Sequence, residues 1–247
     1  MGRRTIKLTI AYEGTDFSGY QRQAQGERTV QGELEKALRR LTGEVPKLIA
    51  AGRTDAGVHA KGQVVSFSTT ARIPVDRWPA ALNANLPPDL IVGQAEAVPS
   101  TFHARYDAKT KTYQYIVSRR RWPDPFLRRF SYHYPHFLDV VKIREAAAVL
   151  VGEHDFKGFA AAGSAVTTTV RRLDQVAVTE AEEELFFTLK GNGFLYKMVR
   201  NIVGTLLLIG GGKADPALVQ AILAHGDRQA AGPTAPPQGL TLVCVEY

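Results

Sequence analysis

The chain has 247 residues, enough for one large domain or two small ones sharing a core. Hydrophobic residues make up 45%, which argues against wholesale disorder, and a net charge of +7 suits a polyanionic partner as well as plain solubility. The single cysteine excludes an intramolecular disulfide and a thiolate zinc site.

The opening MGRRTIKLTIAYEG runs directly into a strand pattern with no long apolar signal segment, so a cytoplasmic location is expected. Residues 5–12 alternate polar and apolar, as a half-buried strand does. Val30, Leu34, Leu38 and Leu41 then recur at helical spacing, with Gly43 as the stop. A short apolar strand over 48–51 leads into the turn-like GRTDAG, and 64–68 reads as a further strand. A short helix over 78–85 is ended by Pro87 and Pro88, and a strand follows over 90–98.

The second half repeats this order. Residues 112–118 alternate as a strand, 140–151 form a helix closed by Gly152, and 173–179 and 184–190 are strands around an acidic turn. A long helix over 195–209 stops at Gly210, Gly211 and Gly212. Asp215 caps another helix, with Pro216 at its first position, and 240–245 is the last strand. Cys244 lies in that apolar run and reads as a small buried hydrophobe. The longest apolar stretch, IVGTLLLIGGG, is too short and too rich in glycine to span a bilayer. The expected fold is α+β, with two similar βαββαβ halves of the RRM or ferredoxin-like kind and mainly antiparallel sheets. The boundary falls within 99–108, giving an N-terminal half over 1–103 and a C-terminal half over 104–247.

Three segments carry candidate chemistry. In the first, a strand ends in Arg53-Thr54-Asp55-Ala56-Gly57, a turn that can hold a carboxylate at a fixed place beside an arginine. The same pattern also suits an aspartate that bonds its own backbone, with Gly57 supplying a positive φ. The second segment, FHARYDAKTKTYQY, mixes basic and aromatic residues, and Tyr113 and Tyr115 share one strand face. Such rings can stack on an exposed base, or they can face the core. The third, GFLYKMVRNIVG, puts Leu195, Met198, Val199, Ile202 and Val203 on an inner helix face with Arg200 at its edge. There Arg200 can hold a carboxylate such as Asp55 ionised, or it can reach water.

Other features are weaker. IGGGKAD lacks the spacing of a phosphate loop and reads as a helix stop. His133, His136, His154 and Asp155 form no recognisable metal pattern. Glu182, Glu183 and Glu184 read as a solvated hairpin turn, while Arg119, Arg120, Arg121, Arg128 and Arg129 suit either RNA backbone or a solvated loop.

Together the three segments resemble the tRNA pseudouridine synthase A family. GRTDAGVHA is similar to its catalytic motif, AKTKTYQYIV to its second and FLYKMVRNIVG to its third. Shorter matches at YEGTDFSGYQRQ, LNANLP, TFHAR and GEHDFKGFA extend the resemblance over nearly the whole chain. The resemblance implies catalytic roles for Asp55, Tyr113 and Arg200, and contacts to RNA by Arg53, Tyr113 and Leu195. It also implies a central cleft between the halves. The implied activity is cofactor-free, metal-free isomerisation of uridines 38, 39 and 40 in the tRNA anticodon stem-loop, with base flipping, by a homodimer.

Three competing readings make different demands. A non-catalytic RNA-binding protein on two RRM-like halves would carry an RNP1-type aromatic run, which the chain lacks. A glycosidase-like hydrolase would need a second carboxylate near Asp55, for which Asp16 and Asp107 are available but not placed by the sequence. A structural basic protein leaves the three motifs unexplained.

Overall fold

The structure, a computed structural model, describes residues 2–24, 26–163 and 166–247. The chain forms two compact units. Met1–Lys109 and Leu242–Tyr247 make the first, and Thr110–Thr241 the second. No helix among the described residues is long and apolar enough to cross a membrane.

The first unit follows the expected order: β1 (Arg4–Tyr12), α1 (Val30–Thr42), β2 (Ile49–Ala50), β3 (His59–Thr69), α2 (Trp78–Asn83) and β4 (Leu90–Val98). β1 lies between β3 and β4 and is antiparallel to both, with Leu8 opposite Val65 and Ala95. β2 pairs with β3 through Ile49–Ser66 and Ala50–Val65. Ile6, Leu8 and Ile10 alternate along β1 and are fully buried, as are Val30, Leu34 and Leu38 of α1 and Trp78 and Leu82 of α2. Each such side chain contributes roughly 1.5–3 kcal/mol by leaving water. α1 starts where the Thr29 hydroxyl accepts from the Gly32 amide and stops at Gly43, whose φ of 74° closes the helix in the left-handed region.

Nine of the eleven residues of β3 are buried, so this strand does not show the alternation of a half-exposed one. One of its faces carries Val65 and Phe67, and the Phe67 ring meets Trp78 edge-on at 5.5 Å. Val64, on the other face, packs in a smaller cluster with Ala51, Ala104, Phe102, Val245 and Tyr247. The last strand, β10 (Leu240–Glu246), thus brings the end of the chain back into the first unit. Gly62 permits the approach, since a Cβ there would lie 2.5 Å from the Val243 carbonyl oxygen.

The second unit contains β5 (Thr110–Ser118), β6 (Tyr132–His133), α3 (Val140–Ala148), β7 (Gly152–Asp155), β8 (Val170–Ala181), β9 (Glu184–Gly191), α4 (Met198–Gly210) and α5 (Ala217–His225). Its strands run in the order β5-β9-β8-β7, all antiparallel, with β6 parallel on β5. Tyr113, Tyr115 and Val117 face Leu189, Phe187 and Leu185 in register and are buried. β6 and β7 are additions to the expected order. Both are too short to show a period of two in the sequence.

Two helix limits also differ from the sequence reading. α3 stops at Ala148, and Gly152, with φ 114°, opens β7. α4 starts at Met198 because Lys197 adopts φ 58°, a left-handed conformation that breaks the helical path after Leu195. α3 and α4 approach closely at Gly210, where a Cβ would meet Ile143 Cδ1 at 2.4 Å.

Candidate active site

In the first unit, Asp55 sits half-buried on the turn joining β2 to β3. Arg53 and Ala56 flank it on the exposed side, whereas Thr54 points inward and is 7% exposed. The turn is closed by the Val58 amide, which donates to the Asp55 carbonyl at 3.2 Å, and by Gly57 at φ 77°. A second loop, whose described residues are 13–24 and 26–29, supports it. The Tyr20 amide donates to the Thr54 carbonyl at 3.1 Å, and the Gly57 amide to the Phe17 carbonyl at 3.3 Å. Gly19, at φ 93°, lies so close that a Cβ would stand 3.0 Å from the Thr54 oxygen and 3.2 Å from the Ala56 nitrogen.

The supporting loop is itself anchored. Arg28 forms two hydrogen bonds of 2.7 Å to the Asp89 carboxylate, and its guanidinium lies 4.2 Å from the Phe17 ring centroid. The Gly14 amide donates to His59 Nδ1 at 2.9 Å. These contacts give YEGTDFSGYQRQ a structural meaning: the segment is the floor under the Asp55 turn.

In the second unit, Tyr113 is 7% exposed on β5, and its ring meets Phe194 in a T-shaped contact. Phe194 and the buried Leu195 lie in the turn before α4 that Lys197 enforces. Arg200 occupies the first turn of α4, half-buried at the edge of a face formed by Met198, Val199, Ile202 and Val203. Its Nε donates to the Ala235 carbonyl at 2.7 Å, and the Ala235 amide donates back to the Arg200 carbonyl at 3.1 Å. Arg200 also acts on Tyr115. Burial raises the Tyr115 phenol well above its ordinary range, and the nearby Arg200 charge opposes the rise. The Tyr115 hydroxyl donates to the Pro236 carbonyl at 2.8 Å.

The segment 228–239 straps α4 in place. Asn201, fully buried, donates through Nδ2 to the Phe159 carbonyl and accepts from Arg228 Nη2 and the Thr234 hydroxyl. Gly204 lets the strap pass: a Cβ there would overlap the Pro233 carbonyl oxygen at 1.7 Å. Asn201 was not singled out by sequence. A lone amide inside an apolar helix face was the available signal.

Of the expected site residues, Arg53 and Asp55 belong to the first unit, and Tyr113, Leu195 and Arg200 to the second. The basic run divides. Arg119 pairs with Glu180 at 3.0 Å and Arg120 with Glu184 at 2.8 Å, so the acidic hairpin holds both, while Arg121 lies over the exposed Trp122 ring. Tyr106 is 75% exposed and stacks on His103 at 4.2 Å. Among the described residues, no group of three or more His, Cys, Asp or Glu is placed to hold a metal ion.

The family model described as tRNA pseudouridine synthase matches residues 8–107 and 146–247. The chain belongs to the tRNA pseudouridine synthase family. Asp55 lies within the first matched segment, Leu195 and Arg200 within the second, and Tyr113 between them. Among the family's members, tRNA pseudouridine synthase A of Moorella thermoacetica is 51% identical over 243 residues, covering 98% of this chain and 99% of the relative. That of Halalkalibacterium halodurans is 52% identical over 238 residues, 96% of this chain and 90% of the relative. That of Bacillus subtilis is 48% identical over 244 residues, 98% of each chain.

Proposed function

We propose that this chain isomerises uridine to pseudouridine in tRNA, at positions 38, 39 and 40 of the anticodon stem-loop, with Asp55 as the reactive carboxylate. What carries the reading is the seat of Asp55: a half-buried carboxylate on a turn that a second loop holds by two backbone hydrogen bonds. The full-length similarity to proteins named tRNA pseudouridine synthase A supports the substrate class.

The reaction breaks the C1′–N1 bond, turns the uracil and joins C1′ to C5. The C5 proton leaves, N1 gains one, and no redox change occurs. The target base must first leave its stack, at a cost of about a few kcal/mol. Arg53, exposed beside Asp55, fills the vacated space or holds the flipped nucleotide.

Asp55 acts as an anion. It attacks C1′, attacks the uracil ring, or removes a sugar proton to give a glycal. Arg200 takes the role of the family's motif arginine, offering a forked set of donors to an anionic group in the chemical step. Tyr113 stacks on the turning uracil, and its hydroxyl takes the C5 proton. Leu195 and Phe194 limit water, which would otherwise leave free uracil and an abasic site. In this reading the enzyme works in the cytoplasm as a homodimer. The exposed rings of Trp122, Phe126, Phe130 and Phe137 offer apolar surface of the kind a second copy covers.

The test is release of tritium from tRNA carrying [5-³H]uracil, with no added metal or cofactor. Release by the parent enzyme and not by Asp55→Asn, with pseudouridine mapped to positions 38–40, is the expected result. Release by both proteins would remove Asp55 from the chemistry.

A further inference from the structure

Thr54 sends its hydroxyl from the Asp55 turn into the first unit's interior, and what it meets there is a built network. Its hydroxyl lies 2.8 Å from the Tyr12 hydroxyl at the end of β1. Gln63, fully buried on β3, donates through Nε2 to the Gly52 carbonyl at 2.8 Å and, more weakly, to the Tyr12 oxygen at 3.5 Å. Gln63 Oε1 accepts from the Val64 amide. The network therefore grips the turn at Gly52 and Thr54, three and one positions ahead of Asp55.

Such a network costs stability unless every member is satisfied. An apolar trio of similar volume would hold the same strands together as well. What apolar packing cannot supply is a directional hold on the turn. The reacting carboxylate must stay within about half an ångström of its working place, and a displacement of about 1 Å costs about 100-fold in rate. Tyr12 suits this task. It continues the buried alternation of Ile6, Leu8 and Ile10 along β1, and the one-residue register shift against β3 between Ile10 and Tyr12 sets it opposite Ala60, beside the turn that leads into β3. Burial keeps its hydroxyl protonated, so it can donate to Thr54 while it accepts from Gln63.

We propose that Tyr12 and Gln63 are positioning residues for the reaction, acting through Thr54 and Gly52 to fix the place of the Asp55 carboxylate. The inference rests on the reading of Asp55 as the reactive group. Neither Tyr12 nor Gln63 touches substrate in it.

The experiment measures kcat and KM for tRNA in Tyr12→Phe, Thr54→Val, Thr54→Ser and the double variant Tyr12→Phe/Thr54→Val, at a temperature where each is folded by circular dichroism, with Asp55→Asn alongside. Expected are a fall in kcat of about 10- to 100-fold for Tyr12→Phe and for Thr54→Val with KM within about twofold, and rescue to within about threefold of the parent by Thr54→Ser. The double variant should be no slower than the worse single one, because both cut the same link. A merely structural role lowers the melting temperature and leaves kcat of the folded enzyme intact; that result in both Tyr12→Phe and Thr54→Val overturns the proposal. If Asp55→Asn turns over normally, the reading of the site fails first. If Asp55→Asn is inactive while Tyr12→Phe and Thr54→Val keep full kcat, only the positioning role falls.

Discussion

The rings of Tyr113 and Phe194 meet at 4.9 Å between centroids, inclined by 77°. The contact fixes the phenol's ring from a turn that lies outside its own strand. Replacing Tyr113 by Phe keeps this contact and removes only the hydroxyl. If that hydroxyl takes the C5 proton, tritium release should slow by about 100-fold or more while tRNA affinity holds. Unchanged release would leave Tyr113 a stacking group and nothing else.

Arg200 has its Nε committed to the Ala235 carbonyl, which orients the rest of the guanidinium. Arg200→Ala should lower kcat by about 100- to 1,000-fold and change tRNA binding little. Arg200→Lys should recover only part of the loss, because an ammonium cannot make the same forked set of bonds. A pure loss of affinity in filter binding, with kcat preserved, would contradict a role for Arg200 in the chemical step.

Gly204 faces a backbone carbonyl, not a movable side chain. An alanine there must push the 228–239 strap off α4. The expected cost is about 1–3 kcal/mol, read as a lower urea midpoint with an unchanged slope. Equal midpoints for Gly204→Ala and the parent would show that the strap yields freely.

Burial raises the Tyr12 phenol from 10.0 to about 12, and its bonds to Thr54 and Gln63 only partly offset this. In the unfolded chain the group loses its proton near the ordinary value; in the folded chain it keeps it. The stabilising contribution is therefore whole below pH 10.0 and disappears as pH rises toward about 12. The stability difference between the parent and Tyr12→Phe, measured by urea unfolding, should shrink over that interval. A difference that stays constant would mean that the hydroxyl reaches solvent.

Phe126 is 87% exposed and Phe137 84%. If a second copy covers them, Phe126→Glu should shift the enzyme toward monomer in sedimentation velocity while far-ultraviolet circular dichroism stays unchanged. A dimer of undiminished affinity in this variant would place the interface elsewhere.

Much of the fold is legible in the sequence because long periodic elements advertise themselves. The 3.6-residue spacing of Val30, Leu34 and Leu38 gave α1, and Gly43 gave its end. Short pairings such as β6 carry no such period, and they form because the neighbouring strand offers unpaired groups. The start of α4 was hidden for a different reason. Leu195 and Met198 keep helical spacing, but the left-handed Lys197 interrupts the backbone between them, and a lysine gives no local sign of that conformation. Asp55, Arg53 and Arg200 stand out by type and setting. Tyr12 and Gln63 do not, because each lies in a strand whose alternation explains it well enough until the partners across the sheet are seen.

The return of the chain in β10 has a bearing on how the protein withstands a break in its chain. Val245 and Tyr247, far along the chain from Asp55, complete one of the apolar clusters of its unit, and the Tyr247 hydroxyl bonds the Ala104 carbonyl. If β10 comes loose, the part of β3 that β2 does not pair is left as an open strand edge. A cut in the chain just before β10 should therefore loosen the unit that holds Asp55, far from the cut in sequence.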